Sequence, residues 1–137
     1  YGLVGSEMCI RDSKKRWGRI GDSPVIGAGT YADNNSCAVS CTGHGEYFIR
    51  HAVAFDVCAR YKYLKESVEK AADYIIHTEL NTNAGNGGLI AVDKLGNIAM
   101  PYNSGGMFRG FLYKEKGSPE IKKGCGIGKK IVVVGEK

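Results

Sequence analysis

The fold is decided by residues 36–46, which read Ser-Cys-Ala-Val-Ser-Cys-Thr-Gly-His-Gly-Glu. Small polar and apolar side chains alternate over 36–41, and this period of two predicts a half-buried β-strand. The two glycines that follow indicate a tight loop, after which a helical pattern begins. Residues 33–35, an Asp-Asn-Asn turn signal, connect this strand to the glycine-rich segment 24–32, which we interpret as its hairpin partner.

Two helices are predicted after this hairpin. In the first, the apolar face consists of Phe48, Ala52, Phe55 and Ala59. In the second, Ser67 is the expected capping residue, because its side-chain oxygen can accept a backbone N–H of the first turn. The apolar face of this second helix consists of Val68, Ala71, Ala72, Ile75 and Ile76.

A second hairpin follows the helices. Alternating or apolar residues at 88–92 and 98–100 predict two strands, and the polar segment 93–97 between them predicts their turn. The order hairpin, two helices, hairpin predicts an α+β fold, in which helices cover one face of an antiparallel sheet.

Composition and charge exclude several classes of protein. The chain has 137 residues, a formal charge of +5 and no apolar run near the roughly 18 residues of a membrane span. The basic excess lies in 1–20 and 114–137, whereas 21–113 carries a net charge of −2. We therefore expect neither nucleic-acid nor membrane binding, since the central region has no basic stripe.

The cysteines and glycines offer few conventional motifs. The five cysteines have no CxxC spacing and the three histidines no HExxH spacing, so we expect no metal, no cofactor, and buried thiols in the cytoplasm. Residues 27–32 match the dinucleotide pattern GxGxxA, but a turn signal follows where that motif needs a helix. Residues 124–130 fail the phosphate-loop pattern, and we interpret them as a flexible linker.

The chain divides into three regions by composition. Residues 1–13 contain no turn chemistry that leads into a core element, and we expect them to be a non-native leader. Residues 14–113 hold the predicted hairpins and helices. Residues 114–137 are a charged tail, in which the apolar run 131–134 predicts an edge strand.

Two short constellations have residues suited to binding. Arg19 and Asp22 place a guanidinium and a carboxylate three positions apart, which suits the two charges of a free amino acid or an ordinary surface ion pair. The loop 42–46 follows a predicted strand and precedes a predicted helix. Either its backbone amides face a developing oxyanion, or the loop only connects the two elements.

Several ordered segments resemble the β-subunit of the plant-type L-asparaginase/isoaspartyl peptidase family. These segments are 19–24, 27–32, 40–46, 87–93 and 107–110. The resemblance implies an N-terminal-nucleophile hydrolase with a four-layer αββα sandwich. It also implies a precursor that cuts itself to free a threonine, which then attacks the side-chain amide of L-asparagine or a β-aspartyl dipeptide.

The resemblance also implies roles for five residues. Arg19 would bind the α-carboxylate of the substrate, and Asp22 its α-ammonium group. The Thr42 hydroxyl and the Gly43 amide would stabilise the oxyanion, and the Gly45 carbonyl would contact the ammonium group. It leaves the role of His44 open.

The nucleophile itself is not among the expected site residues. The threonines of the chain are Thr30, Thr42, Thr78 and Thr82, and none of them precedes Arg19. We therefore expect a truncated β-subunit that is inactive alone, with exposed sheet edges and an apolar face. The parent would be an αβ heterodimer that pairs into a heterotetramer.

Two other functions remain open at this point. A glycosylasparaginase, which removes sugar-linked asparagine, would share these motifs. A catalytically dead domain that only binds or assembles with another chain would explain the missing threonine. Binding of L-aspartate without turnover is the expected signature of the dead domain.

Overall fold

A computed structural model describes Gly18 and residues 20–114, 121–127 and 132–136. The chain forms two compact units, one that ends at Asn103 and one that begins at Ser104. Arg19 and the expected leader 1–13 lie outside the described residues. Within the described part of the chain, no helix has the length and apolar character needed to cross a membrane.

The first unit contains an antiparallel sheet of four strands. Its spatial order is β1-β2-β3-β4. The two predicted hairpins are confirmed, and they share a central β2–β3 pairing that runs from Cys37 opposite Asp93 to Gly43 opposite Gly87. The strands are β1 (Thr30–Ala32), β2 (Cys37–Gly43), β3 (Gly87–Asp93) and β4 (Ile98–Ala99).

The helical segments lie between β2 and β3. Ser67 caps the last of the three α-helices as predicted, since its hydroxyl accepts the Lys70 amide at 3.3 Å. The helices are α1 (Gly45–Arg50), α2 (Val53–Ala59), which continues as the π-helical turn Arg60–Leu64, and α3 (Val68–Tyr74), which continues as the π-helical segment Ile75–Leu80.

The hydrophobic core lies between these helices and one face of the sheet. Phe48 of α1 and Val57 of α2 are fully buried. The sheet contributes the alternate residues of β2 and β3 that its pleat directs to this face. All five predicted apolar residues of the second helix are buried as well, namely Val68, Ala71, Ala72, Ile75 and Ile76. On the other face, Ile90 and Val92 are each 45% exposed.

Two predicted elements are wrong. The strand predicted over 24–32 is a strand only at Thr30–Ala32, because the preceding residues form turns in which Gly27 has a φ of +90°. The first predicted helix is two helices, since Ala52 adopts the left-handed conformation with φ +46° between α1 and α2. As a result, Phe55 is 45% exposed and packs edge-on against Tyr31.

The second unit is an antiparallel sheet of three strands in the order β5-β6-β7. The linker predicted over 124–130 is wrong for residues 124–127, which pair within β6 and extend its ladder. Strand β7 covers most of the segment 131–134, where we expected an edge strand. The strands are β5 (Phe108–Lys114), β6 (Ile121–Ile127) and β7 (Val132–Glu136).

The turn between β3 and β4 is organised by one carboxylate. Asp93 Oδ1 accepts the amides of Leu95 at 2.8 Å and Asn97 at 2.9 Å, and Oδ2 accepts the Asn97 side-chain amide at 2.8 Å. Burial alone would raise the pKa of Asp93, but these hydrogen bonds outweigh it and lower the pKa below 3.8. The ionised carboxylate therefore stabilises the folded state.

We predict that Asp93→Asn lowers the free energy of unfolding by about 1–3 kcal/mol at pH 7. The new side-chain amide would face the Asn97 amide, so donor would meet donor. Because the folded pKa is depressed, the contribution of Asp93 is present above pH 3.8 and lost as pH falls through the folded pKa. Urea unfolding at several pH values should show the difference between wild type and variant shrinking below pH 3.8.

The matched control is Asp73→Asn, because the Asp73 carboxylate is 67% exposed. A loss of stability in the control as large as that in Asp93→Asn would contradict the prediction.

Candidate active site

Asp22 is held in place by two glycines that leave room for it. The residue is only 5% exposed, and its carbonyl accepts the Val25 amide at 2.9 Å. A Cβ at Gly29 would overlap the Asp22 carbonyl group and approach the Ser23 Cα to 2.7 Å. A Cβ at Gly45 would lie 2.7 Å from Asp22 Oδ1. The structure thus brings Asp22 and Gly45 together.

The backbone is packed equally closely at the end of β2, around Gly43. A Cβ at Gly43 would overlap the Asn86 carbonyl oxygen and approach the Gly87 Cα to 2.6 Å. Real Cβ atoms essentially never come this close, so the β2–β3 ladder can close here only with glycine at both positions. The His44 amide, one residue on, donates to the Asn86 carbonyl at 2.8 Å.

Thr42 and Gly43 present polar groups at this strand end. The Thr42 Oγ1 is buried and has no hydrogen-bond partner in the described part of the chain. The Cys41 amide donates to the Gly29 carbonyl at 2.8 Å. Because amide directions repeat every second residue along a strand, the Gly43 amide points to the same edge, on the side of Gly29 and Asp22.

The charge of Asp22 affects the pKa of Cys41 in the neighbouring strand β2. Burial raises the pKa of the Cys41 thiol well above its usual range, and the carboxylate of Asp22 raises it further. Cys41 is completely buried and therefore a neutral thiol. Asp22 places a carboxylate near this strand, and a carboxylate is complementary to a cationic group.

Asn103 was missed by the sequence analysis, although it fixes the loop beside the site. Its Oδ1 accepts the Gly87 amide at 2.8 Å, and its Nδ2 donates to the carbonyls of Gly85 at 2.9 Å and Ile76 at 3.3 Å. Its own amide donates to the Gly87 carbonyl at 2.9 Å. An asparagine in a polar, glycine-rich segment gives no signal of such a role.

Four of the five expected site residues therefore lie at one end of the sheet. Asp22 contacts Gly45 directly, and only His44 separates Gly45 from the Thr42–Gly43 strand end. The fifth, Arg19, lies outside the described residues. The His44 ring lies near that of Tyr47, with 6.3 Å between centroids. Among the described residues, no group of three or more metal-ligating side chains occurs.

Comparison with known proteins identifies the family. The model of a family described as Asparaginase matches residues 12–121. The isoaspartyl peptidase of Salmonella typhimurium is 51% identical over 96 residues, and that of Escherichia coli is 46% identical over 110 residues. A probable isoaspartyl peptidase/L-asparaginase of Arabidopsis thaliana is 51% identical over 96 residues. The chain belongs to this asparaginase/isoaspartyl peptidase family, as its motifs predicted.

The matched regions cover most of this chain but only a minor part of each relative. The alignments include 70%, 73% and 70% of this chain for the three relatives in that order. They include only 31%, 34% and 29% of the relatives themselves. The chain thus spans about a third of the length of the curated relatives it matches.

We predict that Asn103→Ala destabilises the first unit by about 2–3 kcal/mol, because buried backbone groups of Gly85 and Gly87 lose their partners. Hydrogen exchange should also show faster exchange of the His44 amide, since its acceptor Asn86 lies in the loosened loop. The control is Asn34→Ala at an exposed turn position. Equal effects of the two substitutions on stability and exchange would show that Asn103 does not fix the loop.

Proposed function

We propose that this chain is part of a hydrolase that cleaves the side-chain amide of L-asparagine and the isopeptide bond of β-aspartyl dipeptides. The observation that carries the proposal is the contact between the nearly buried Asp22 carboxylate and Gly45, beside the Thr42–Gly43 strand end. The names of the relatives, isoaspartyl peptidase and L-asparaginase, support the same substrate class.

In this proposal, Asp22 and Gly45 bind the substrate ammonium group. A carboxylate and a backbone carbonyl both accept hydrogen bonds from an ammonium, and the charge of Asp22 makes the interaction stronger than a neutral bond. Arg19 would bind the α-carboxylate through its planar guanidinium fork. Together the three residues select a free amino acid over a peptide-linked one.

Thr42 and Gly43 would stabilise the transition state. When a nucleophile attacks the substrate amide, negative charge develops on its carbonyl oxygen. The Thr42 hydroxyl, which has no partner within the described residues, can donate to that oxygen. The Gly43 amide points to the same edge of the sheet as Asp22, and such fixed donors lower the barrier.

The nucleophile would be a threonine from a segment other than these 137 residues. Autoproteolysis would free its amine, which then serves as the general base for its own hydroxyl. A second sheet would cover the Ile90 and Val92 face and complete a four-layer αββα sandwich. The assembly would be an αβ heterodimer that pairs into a heterotetramer, and we place it in the cytoplasm without a required cofactor.

We predict that this chain binds L-aspartate, the amino acid that both reactions release. Asp22→Asn should weaken binding at least about 10-fold, because the substrate ammonium loses its counter-charge. Gly45→Ala should weaken it similarly, since the new Cβ would collide with the Asp22 carboxylate. Isothermal titration calorimetry measures both effects.

Two matched variants serve as controls for these binding measurements. Gly105→Ala adds a Cβ that meets nothing within 4 Å, and Asp73→Asn removes an exposed carboxylate. Both should bind like the wild type, and circular dichroism confirms that each variant is folded. If Asp22→Asn and Gly45→Ala, once folded, also bind like the wild type, the ammonium site is wrong.

We predict that the complete protein, with its upstream segment, releases ammonia from L-asparagine and L-aspartate from β-aspartyl dipeptides. Thr42→Val should lower kcat by about 10²–10³, because one oxyanion donor is lost while the shape of the side chain is kept. Faster release of the sugar amine from sugar-linked asparagine would favour the glycosylasparaginase alternative. Binding without any turnover would favour a dead domain.

A further inference from the structure

Two buried cysteines face each other across the core, away from the candidate active site. Cys37 begins β2 and Cys58 lies in α2, and their Sγ atoms are 2.8 Å apart. The Cys58 thiol also donates to the Cys37 carbonyl at 3.2 Å. Both residues are free thiols, with exposed fractions of 3% and 2%. A disulfide needs an S–S distance of about 2.05 Å, so the sulfurs need to approach by only about 0.8 Å.

A cavity large enough for a small oxidant lies next to this pair. Cys37 lines a cavity of about 280 Å³, which is also lined by Asp33, Asn34, Ser36, Asp93 and Lys94. A water molecule occupies about 30 Å³ in the liquid, and a peroxide is only slightly larger. The cavity is therefore large enough to hold hydrogen peroxide beside Cys37.

We propose that Cys37 and Cys58 are an oxidation site, at which hydrogen peroxide converts the two thiols into an internal disulfide. In the first step, the thiolate of one of the two cysteines attacks one peroxide oxygen, and the O–O bond breaks. This gives a sulfenic acid on that cysteine and one hydroxide, which takes up a proton to become water. In the second step, the sulfur of the other cysteine attacks the sulfenic sulfur, and the sulfenic oxygen leaves as a second water with the proton of the attacking thiol.

The shared hydrogen bond affects both thiols of the pair. The hydrogen bond with Cys37 lowers the pKa of Cys58, although burial opposes this effect. The same interaction raises the pKa of Cys37, and burial raises it further. Because the thiolate is the reactive form, one proton has to leave the pair before it reacts with peroxide.

The disulfide would join two elements that support the candidate site. Strand β2 carries Thr42 and Gly43 at its far end. The first amides of α2 hold the loop before β1, because Ala54 donates to the Ala28 carbonyl at 3.0 Å and Phe55 to the Gly27 carbonyl at 2.8 Å. Oxidation would therefore brace the strand and the loop against each other.

Peptide mapping tests the proposal on the native chain. The chain is treated with hydrogen peroxide, alkylated and digested with trypsin without reduction. Cleavage after Arg19, Arg50 and Arg60 separates residues 20–50, which contain Cys37 and Cys41, from residues 51–60, which contain Cys58. A disulfide joins these two peptides, and its mass is that of the pair less two hydrogen atoms.

Cys41 provides the matched control, because it lies on the same strand and in the same peptide as Cys37. The linked peptide should persist in Cys41→Ser, disappear in Cys37→Ser, and separate again on addition of dithiothreitol. In concentrated urea, the wild-type chain should give mixed pairings instead of this one linkage.

Three results would overturn the proposal. The first is a linked peptide that disappears in Cys41→Ser. The second is sulfinic acid on Cys37 or Cys58 in place of the linkage. The third is an unmodified Cys37–Cys58 pair at a peroxide concentration that fully oxidises Cys125, which is an exposed thiol.

Discussion

The candidate site depends on steric room at two glycines around Asp22. Gly29 lets the backbone of the Asp22 segment lie against the start of β1, and Gly45 lets its carboxylate lie against the start of α1. A carboxylate that is only 5% exposed needs a defined environment, because loss of hydration penalises its charged form. Any side chain at position 45 would push Asp22 out of this environment. The contact therefore fixes both the position of the charge and the identity of residue 45.

A second set of contacts connects this site to the core. Gly43 and Gly87 let β2 and β3 close at the strand end, and Asn103 holds the loop that leads into Gly87. Asn103 also reaches the Ile76 carbonyl in the π-helical segment. The strand end that carries Thr42 is thus fixed by a helix, a loop and a neighbouring strand together. Under the proposed function, fixed polar groups of this kind need no rearrangement when charge develops on a substrate, which is the condition for electrostatic catalysis.

The sequence predicted the parts of the fold that depend on periodicity and local capping. Capping and periodicity can be recognised from residues that are close in sequence. They predicted the Ser67 cap, the apolar face of the helix that it begins, and both hairpins of the first sheet. The break at Ala52 could not be predicted, because alanine favours helices and only the surrounding packing holds it at φ +46°. The strand in the glycine-rich segment 124–127 could not be predicted from its side chains. It is stabilised by backbone pairing with the neighbouring strand β5. For Asn103, the decisive partners are 16–27 residues away in sequence.

Contacts among the described residues between Asp22 and Asn103, within the first unit, place Asp22, Thr42, Gly43 and Gly45. Under the proposed function, substrate binding is therefore built into one unit, whereas bond cleavage needs a threonine from another segment. The sheet supports this division physically. Its helix side is closed by the core, but Ile90 and Val92 lie exposed on the other side. Burial of that apolar surface would contribute about 25 cal/mol per Å² to association. The covering layer would thus supply the free energy that holds the two parts together, and the strand ends would supply the chemistry.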